Sequence, residues 1–564
     1  HGIVTVSTPL SFTDTGSDEK TTSYTYVTNG SGVYAVSDVS TFDQSSTKVN
    51  ETKYYYDAQS FGALTDGNNT KIERLKTGST FLNTQKTFDT YGNVLTATDE
   101  RGKVTTYTYD TPNIHVATVT NPLSQVKSYV YEYNTGNPIQ VTDENGFIYE
   151  TSYDGFGRVL QQKLPDLSSP TTRVSKTTYA YTDTSSAVAV HKTDYLDGST
   201  TVDSYGYYDG LNRPLQERIE SESTFNVHDF KYDSRGNLES KSTMYANSGS
   251  SRTSATGTSS LYTSYTYDPL DRVLTVVDPI GTTTYVYTGL KTTVTDPRSK
   301  VKDYYNDVYG NLKQVDEHNS ASTYTTTYTW DLNGKLLSIT DALGNVRDFT
   351  YDKLGRRLTA DDLHASADAT YGSWSYTYDN AGNMTQSVSP DVKTVNYTYD
   401  DINRVATENY TGVAGTEVTY TYDANRNIAS ESKTVNGNTY TTSYTYDRQG
   451  NQLVITYPDS AQVRYIFNTA GLLEKVEQKE SGGSYANVVS NFDYSPVSTP
   501  TTIAYVNGVT TTNTYDATKS YRLSAKTSIN GASSNLQNTA YTYDANNNIT
   551  QIIDASNTDG AKTA

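Results

Sequence analysis

The chain has 564 residues, no cysteine and a formal net charge of −19. The missing cysteines exclude disulfides, thiolate nucleophiles and cysteine-ligated metals, and the acidic balance, with no Lys/Arg cluster to neutralise phosphates, argues against nucleic acid and anionic membrane surfaces as partners. No apolar run approaches the roughly 20 residues that span a bilayer. What remains is a chain with 53 Tyr, each able to bury a ring while its hydroxyl finds a polar partner. Thr, Tyr and Val fill its periodic segments, as suits a pleated, half-buried surface.

In chain order, residues 1–50 read as the divergent start of a repeat array. The sequence opens at His1 with no charged or apolar leader, as expected of a processed form or a piece of a longer polypeptide. Residues 51–548 carry the array itself, with a period of roughly 18 to 35 residues. Its sharpest copies read aromatic-x-aromatic-Asp: Tyr107-Thr-Tyr109-Asp110, Tyr265-Thr-Tyr267-Asp268, Tyr376-Thr-Tyr378-Asp379, Tyr397-Thr-Tyr399-Asp400, Tyr420-Thr-Tyr422-Asp423, Tyr444-Thr-Tyr446-Asp447 and Tyr541-Thr-Tyr543-Asp544. Degenerate copies such as Phe88-Asp89, Tyr153-Asp154, Tyr208-Asp209, Trp330-Asp331 and Phe467-Asn468 fill the gaps. Residues 549–564 read as a polar tail.

Each copy predicts a β-hairpin. Tyr-Thr-Tyr alternates with the period of a strand, so both rings share one face. The Asp ends the strand by bonding backbone N–H groups in an Asx-type turn. A following Gly, as in Gly92, Gly355, Gly382 and Gly450, supplies the positive φ of the bend. Val or Leu then opens the return strand. About twenty hairpins make about forty strands in an all-β, continuous antiparallel sheet large enough to twist and curl. The rings of Tyr397 and Tyr399 are expected to meet those of Tyr376, Tyr378, Tyr420 and Tyr422 on neighbouring hairpins. Val is expected to destabilise at Gly355, Gly382 or Gly450 and to matter little at Gly249, in a Ser-rich loop.

The segment Thr340 to Leu358 resembles the consensus of the RHS/YD-repeat family, as does Asp143 to Leu160, and Asp278-Pro279-Ile280-Gly281 resembles its inter-repeat turn. The resemblance implies tandem hairpins spiralling into a shell or partial cocoon. Among bacterial wall-associated and toxin-complex shell proteins and teneurins, such shells enclose a toxin or serve contact outside the cell. It therefore implies a secreted or surface-displayed protein. Toxin-bearing members close the shell with an Asp-Pro- and Gly-rich segment containing self-cleaving aspartates. No such segment occurs in this sequence, which implies a shell fragment or a member without that module.

The residues offer no catalytic constellation, cofactor motif or paired metal motif, so none is assigned. The six histidines, His1, His115, His191, His228, His318 and His364, read as lone surface residues, and the repeated Asp as a turn cap. Two turns, at Asp423-Ala-Asn425-Arg-Asn427 and at Asp544-Ala-Asn546-Asn547-Asn548, start like calcium loops. Thr434 and Ala555 stand where the closing Glu belongs. The expected function is thus a non-enzymatic structural shell within a larger secreted or surface-displayed polypeptide, encapsulating or presenting a toxin or cargo. The alternative is an extracellular adhesion module binding glycans or other repeat proteins through the insertions Met244 to Ser260 and Leu363 to Ser373.

Overall fold

A computed structural model describes residues 3–7, 20–556 and 562–563, except 123, 145, 167–168, 185–186, 223, 254–260, 366, 368–370, 402, 413–415 and 424–426. Among the described residues there are 48 strands, and the one helical element described over its whole length is a 3-10 turn at Ala517–Lys519. Strands pair antiparallel with their sequence neighbours, so the expected all-β, continuous antiparallel sheet of tandem hairpins is what the chain adopts. No helix among the described residues is long and apolar enough to cross a membrane.

The hairpin Thr394–Tyr399 and Val405–Tyr410 shows how the repeat sequence makes its fold. Tyr397 and Tyr399 lie half-buried on one face while Thr398 is exposed on the other. There Thr398 meets Thr407 across the ladder, hydroxyl to hydroxyl at 2.7 Å. The same pairing recurs at Thr108 with Thr118, Thr266 with Thr275 and Thr350 with Thr359. The alternation of bulky ring and small β-branched alcohol therefore assigns one face to apolar packing and the other to a ladder of hydroxyl pairs. At Tyr399 the register shifts by one residue, so that Tyr399 pairs with Val405. This bulge recurs immediately before the turn, at Tyr109, Tyr267, Tyr378 and Tyr446 among others.

The chain divides into two compact units. One comprises His1–Phe147, Tyr304–Ala424 and Ser432–Tyr440; the other comprises Ile148–Asp303, Asn425–Glu431 and Thr441–Ala564. Within each, an early and a late stretch of the strip lie edge to edge. In the first, Lys20 Nζ donates to the Leu332 carbonyl at 2.8 Å, the Lys353 N–H to the Lys76 carbonyl at 3.1 Å, and Lys103 pairs with Asp401. In the second, the turn at Asp447 seats on strands about 250 residues earlier in the chain. Arg448 donates to the Asp197 carbonyl at 2.6 Å, and Gln449 Nε2 to those of Lys176 and Tyr195 at 3.1 Å.

Two strands are shared between successive parts of the sheet. The first half of Phe225–Tyr232 pairs with Tyr245–Asn247 and its second half with Leu238–Ser242. Likewise Asn345–Tyr351 pairs first with His364–Ala365 and then with Arg357–Asp361. These splits fall on the two insertions that carried the adhesive alternative. What is described of those insertions serves as sheet corners.

Candidate functional site

The repeated constellation is the Asp turn, and its full membership was not legible in the sequence. In the copy at Asp268, Oδ1 accepts the N–H groups of Leu270 at 2.8 Å and Arg272 at 3.0 Å. Oδ2 accepts Arg272 Nε at 2.7 Å. The Arg272 guanidinium then lies over the ring of Tyr287 in the next hairpin, 4.3 Å from its centroid. The Tyr287 hydroxyl donates to the carbonyl of Val273 at 2.9 Å, where the return strand of the first hairpin opens. Asp, Arg and the next repeat's Tyr thus form one clasp between consecutive hairpins. Arg158 with Tyr181, Arg404 with Tyr422 and Arg522 with Tyr543 repeat the stacking. The hydroxyl bond also recurs without Arg, as from Tyr399 to the Met384 carbonyl at 2.7 Å. Where the repeat has Asn instead of Arg, its amide closes on the same carboxylate, as Asn383 does on Asp379 and Asn451 on Asp447.

These bonds set the carboxyl chemistry. The Arg213 N–H holds the Asp209 carboxyl below its ordinary value, against the opposing effect of burial. Burial opposes the shift at Asp110 too, yet the N–H groups of Ile114 and His115 bring its carboxyl down to about 2. Carboxylates so held stay ionised and act as turn caps. The clasp also corrects the expected ring pairs. Return strands stand between successive Tyr-Thr-Tyr strands, so Tyr397 faces Glu408 and Tyr399 faces Val405. Equivalent rings sit two strand spacings apart, about 9.5 Å, too far for edge contact.

The bend residue three positions after the Asp adopts positive φ, as expected, at Gly355 (+79°), Gly382 (+90°) and Gly450 (+93°). Gly249 does so too, at +73°, which overturns the expectation that it is tolerant. Its carbonyl accepts Arg218 Nε at 3.1 Å.

That Arg is the centre of a buried polar cluster. Arg218 is fully buried and Gln216 and Asp229 nearly so. The Arg218 guanidinium bonds the Gly249 and Ser248 carbonyls and Gln216 Oε1. Gln216 grips Thr253 twice, accepting its N–H and donating to its carbonyl, both at 3.1 Å. It also donates to Asp229 Oδ1 at 2.6 Å. The hydroxyls of Tyr245 and Tyr262 donate to Asp229 Oδ2 at 2.7 and 3.1 Å. Burial, together with the Asp229 charge, pushes the Tyr262 hydroxyl well above its ordinary value. Residues 248–253 are in this way strapped onto the sheet. Residues 254–260 of this insertion lie outside the described residues.

The sequence-singled residues fall as follows. The turn at Asp544 is an Asx turn whose Oδ1 accepts the Asn546 and Asn548 N–H groups and whose Oδ2 takes Arg298. Residues 424–426 of the turn at Asp423 lie outside the described residues, as does His1. Four other histidines are not lone surface residues. His115 stacks on Tyr131, His191 on Tyr205 and the buried His364 on Tyr371, while His228 packs against Phe230. Burial pushes the His228 imidazole below its ordinary value. No group of three or more acidic or His side chains is placed to hold a metal among the described residues.

The family model for the RHS Repeat matches residues 330–364, the stretch from Trp330-Asp331 through the copy at Tyr351-Asp352. No curated protein matches the sequence. Among solved structures, the crystal structure of TcdB2-TccC3-Cdc42 aligns over 95% of this chain with a TM-score of 0.76 at 12% identity. TcdB2-TccC3 without its hypervariable C-terminal region aligns over 95% at 0.77 and 13%. The Tc holotoxin pore of Photorhabdus luminescens aligns over 95% at 0.73 and 12%. The chain spans 38–39% of the length of these three structures. The likeness is one of fold.

Proposed function

We propose that the work of this chain, whose residues 330–364 match the RHS Repeat family model, is structural: it is a stretch of shell wall in a larger secreted or surface-displayed polypeptide, encapsulating or presenting a toxin or other cargo. The array over residues 51–548 is the wall, and it turns over no substrate. The observation that carries this reading is the fate of the repeat's polar groups. Each Asp carboxylate of the fully described turns is engaged by backbone N–H groups, and in most copies its second oxygen by Arg or Asn of its own turn. A repeat built to bind ligands would aim such groups outward. This one turns its carboxylates on their own turn and its Arg and Tyr groups on the neighbouring hairpin, and the strip edges are stitched where early and late stretches meet.

Protease protection tests the reading in the longer polypeptide that contains this chain. The segment following the array should resist digestion while the wall is intact. The double substitution Arg448→Ala and Gln449→Ala, which removes the stitch onto Asp197, Lys176 and Tyr195, should expose it. Equal cleavage of that segment in parent and variant would exclude encapsulation.

A further inference from the structure

Strands Tyr34–Phe42 and Lys48–Tyr56 pair antiparallel, and one face of the pair carries charge that no clasp uses. Asp38 stands directly opposite Lys53, and Ser40 directly opposite Glu51, so these four side chains share that face as a square. Glu51 is buried, 8% exposed. Its Oε1 meets Lys48 Nζ at 2.8 Å and Lys53 Nζ at 3.5 Å. Ser40 Oγ donates to Asp38 Oδ1 at 2.7 Å. Asp38 Oδ2 is buried and no donor group meets it; the group it faces is the Glu51 carboxyl. Two carboxyl groups keep that arrangement only with a proton between them.

The surroundings decide which of the two holds the proton. Burial pushes the Asp38 carboxyl above its ordinary value, and the Glu51 charge adds to the effect. Against burial, the Lys48 ammonium holds the Glu51 carboxyl below its own. Asp38 is therefore a neutral acid and Glu51 the anion. Lys53 Nζ lies over the rings of Phe81 and Phe61, 4.4 and 5.8 Å from their centroids, which limits the water around it. Reach separates the two lysines. Lys48 pairs with Phe42, four residues from Asp38, about 13 Å along the strand and beyond the combined span of the two side chains. Opposite residues such as Lys53 and Asp38 have Cβ atoms only about 5 Å apart.

We propose that Asp38 and Lys53 join through an amide bond, a self-formed cross-link between neighbouring strands for which Glu51 is the base. Glu51 takes a proton from the Lys53 ammonium, and the freed amine attacks Asp38 Cγ. The C–N bond forms as the bond from Cγ to the Oδ2 hydroxyl breaks. Of the three ammonium protons, one goes to Glu51, one leaves with that hydroxyl as water, and one stays on the amide nitrogen. Nothing is oxidised or reduced, and no co-reactant takes part. The Ser40 hydroxyl on Oδ1 polarises the carbonyl under attack. The bond closes once per molecule, so it adds to the wall role by locking two strands in register.

Mass spectrometry of the purified, denatured chain tests the proposal. The parent should be lighter than its sequence by one water. Trypsin does not cut after an acylated lysine, so it should release Thr21–Lys48 joined to Val49–Lys71 as a branched peptide. Lys53→Arg keeps the charge over the rings and removes the reacting amine; it should restore the full mass and the separate peptides. Glu51→Gln keeps the shape and removes the base, and should cut the linked fraction by at least about tenfold. Circular dichroism should show the same β fold in both variants. A parent at full sequence mass with separate peptides, a link from Asp38 to Lys48, or a Glu51→Gln variant that links as fully as the parent would overturn the proposal. None of these outcomes bears on encapsulation, which is read from protease protection.

Discussion

The strip turns a corner twice, and the two corners are closed by opposite chemistry. At Phe225–Tyr232 the split strand is covered by a strap, residues 248–253, whose carbonyls are held by a fully buried guanidinium. The charge of Arg218 is relayed through Gln216 to Asp229, and two Tyr hydroxyls complete that carboxylate. At Asn345–Tyr351 the split strand is covered by His364, whose Nδ1–H donates to the Asp362 carbonyl at 2.7 Å. Its ring stacks on Tyr371 with 3.7 Å between centroids. The topological device is the same in both. A network of buried charge is costly to leave incomplete, whereas a stacked pair of rings degrades gently. The first corner should therefore fail as a unit and the second by degrees.

Arg218→Ala should break the first corner outright. It leaves Asp229 buried without its relayed cation and the Gly249 and Ser248 carbonyls without donors, at a cost of about 3–5 kcal/mol. Because a repeat array transmits damage mainly to neighbours, hydrogen exchange should accelerate over residues 214–262 and not elsewhere. Protection lost throughout the chain would show the corner to be a global keystone. A smaller loss, roughly 1–3 kcal/mol, is expected for Gly249→Val, which forces a β-branched residue to a φ of +73°. Gly355→Val should cost a similar amount in an ordinary turn at +79°, where the added Cβ also meets the flexible end of Lys335. If Gly249→Val proves silent in denaturant unfolding, the strap is not held as described.

An ordinary repeat supplies the baseline against which both corners are judged. Tyr399→Phe keeps the ring and removes only the bond to the Met384 carbonyl, so the expected loss is about 0.5–1.5 kcal/mol. Tyr371→Ala at the second corner should also stay within a few tenths to about 1.5 kcal/mol beyond the lost burial of a half-exposed ring. An effect of Tyr371→Ala as large as that of Arg218→Ala would erase the distinction between the corners.

Acid acts on the ordinary turns. The folded-state value of Asp110 is depressed to about 2 from an ordinary 3.8. Its contribution to stability is therefore fully present above about pH 4 and is lost as pH falls through about 2. Asp209 and Asp268 shift in the same direction. Near-ultraviolet circular dichroism of the Tyr bands should accordingly hold steady down to about pH 4 and decline below it. Loss of signal between pH 7 and 5 would contradict carboxylate-capped turns.

What the sequence determined by itself was everything with a short period. Alternation in Tyr-Thr-Tyr fixed strand and face, Asp fixed the turn, and Gly355, Gly382 and Gly450 fixed the bend, because each depends on contacts within a few residues. The Arg after the bend was visible in the copies that carry it, as at Arg158, Arg272 and Arg404, yet its role was not. Its partner ring lies one hairpin away, at a spacing that varies from repeat to repeat. The same holds for the expected ring pairs, since only the order of strands reveals that a return strand stands between like positions. The tertiary structure alone decided the corners. Nothing local in Gln216, Arg218 and Asp229 marks them for burial; they read as an ordinary polar strand face until the strap over 248–253 removes their water. It also decided which Asp turns meet other parts of the chain and which are left outward. That choice rests on contacts 240 to 312 residues apart, a separation over which no local pattern carries information.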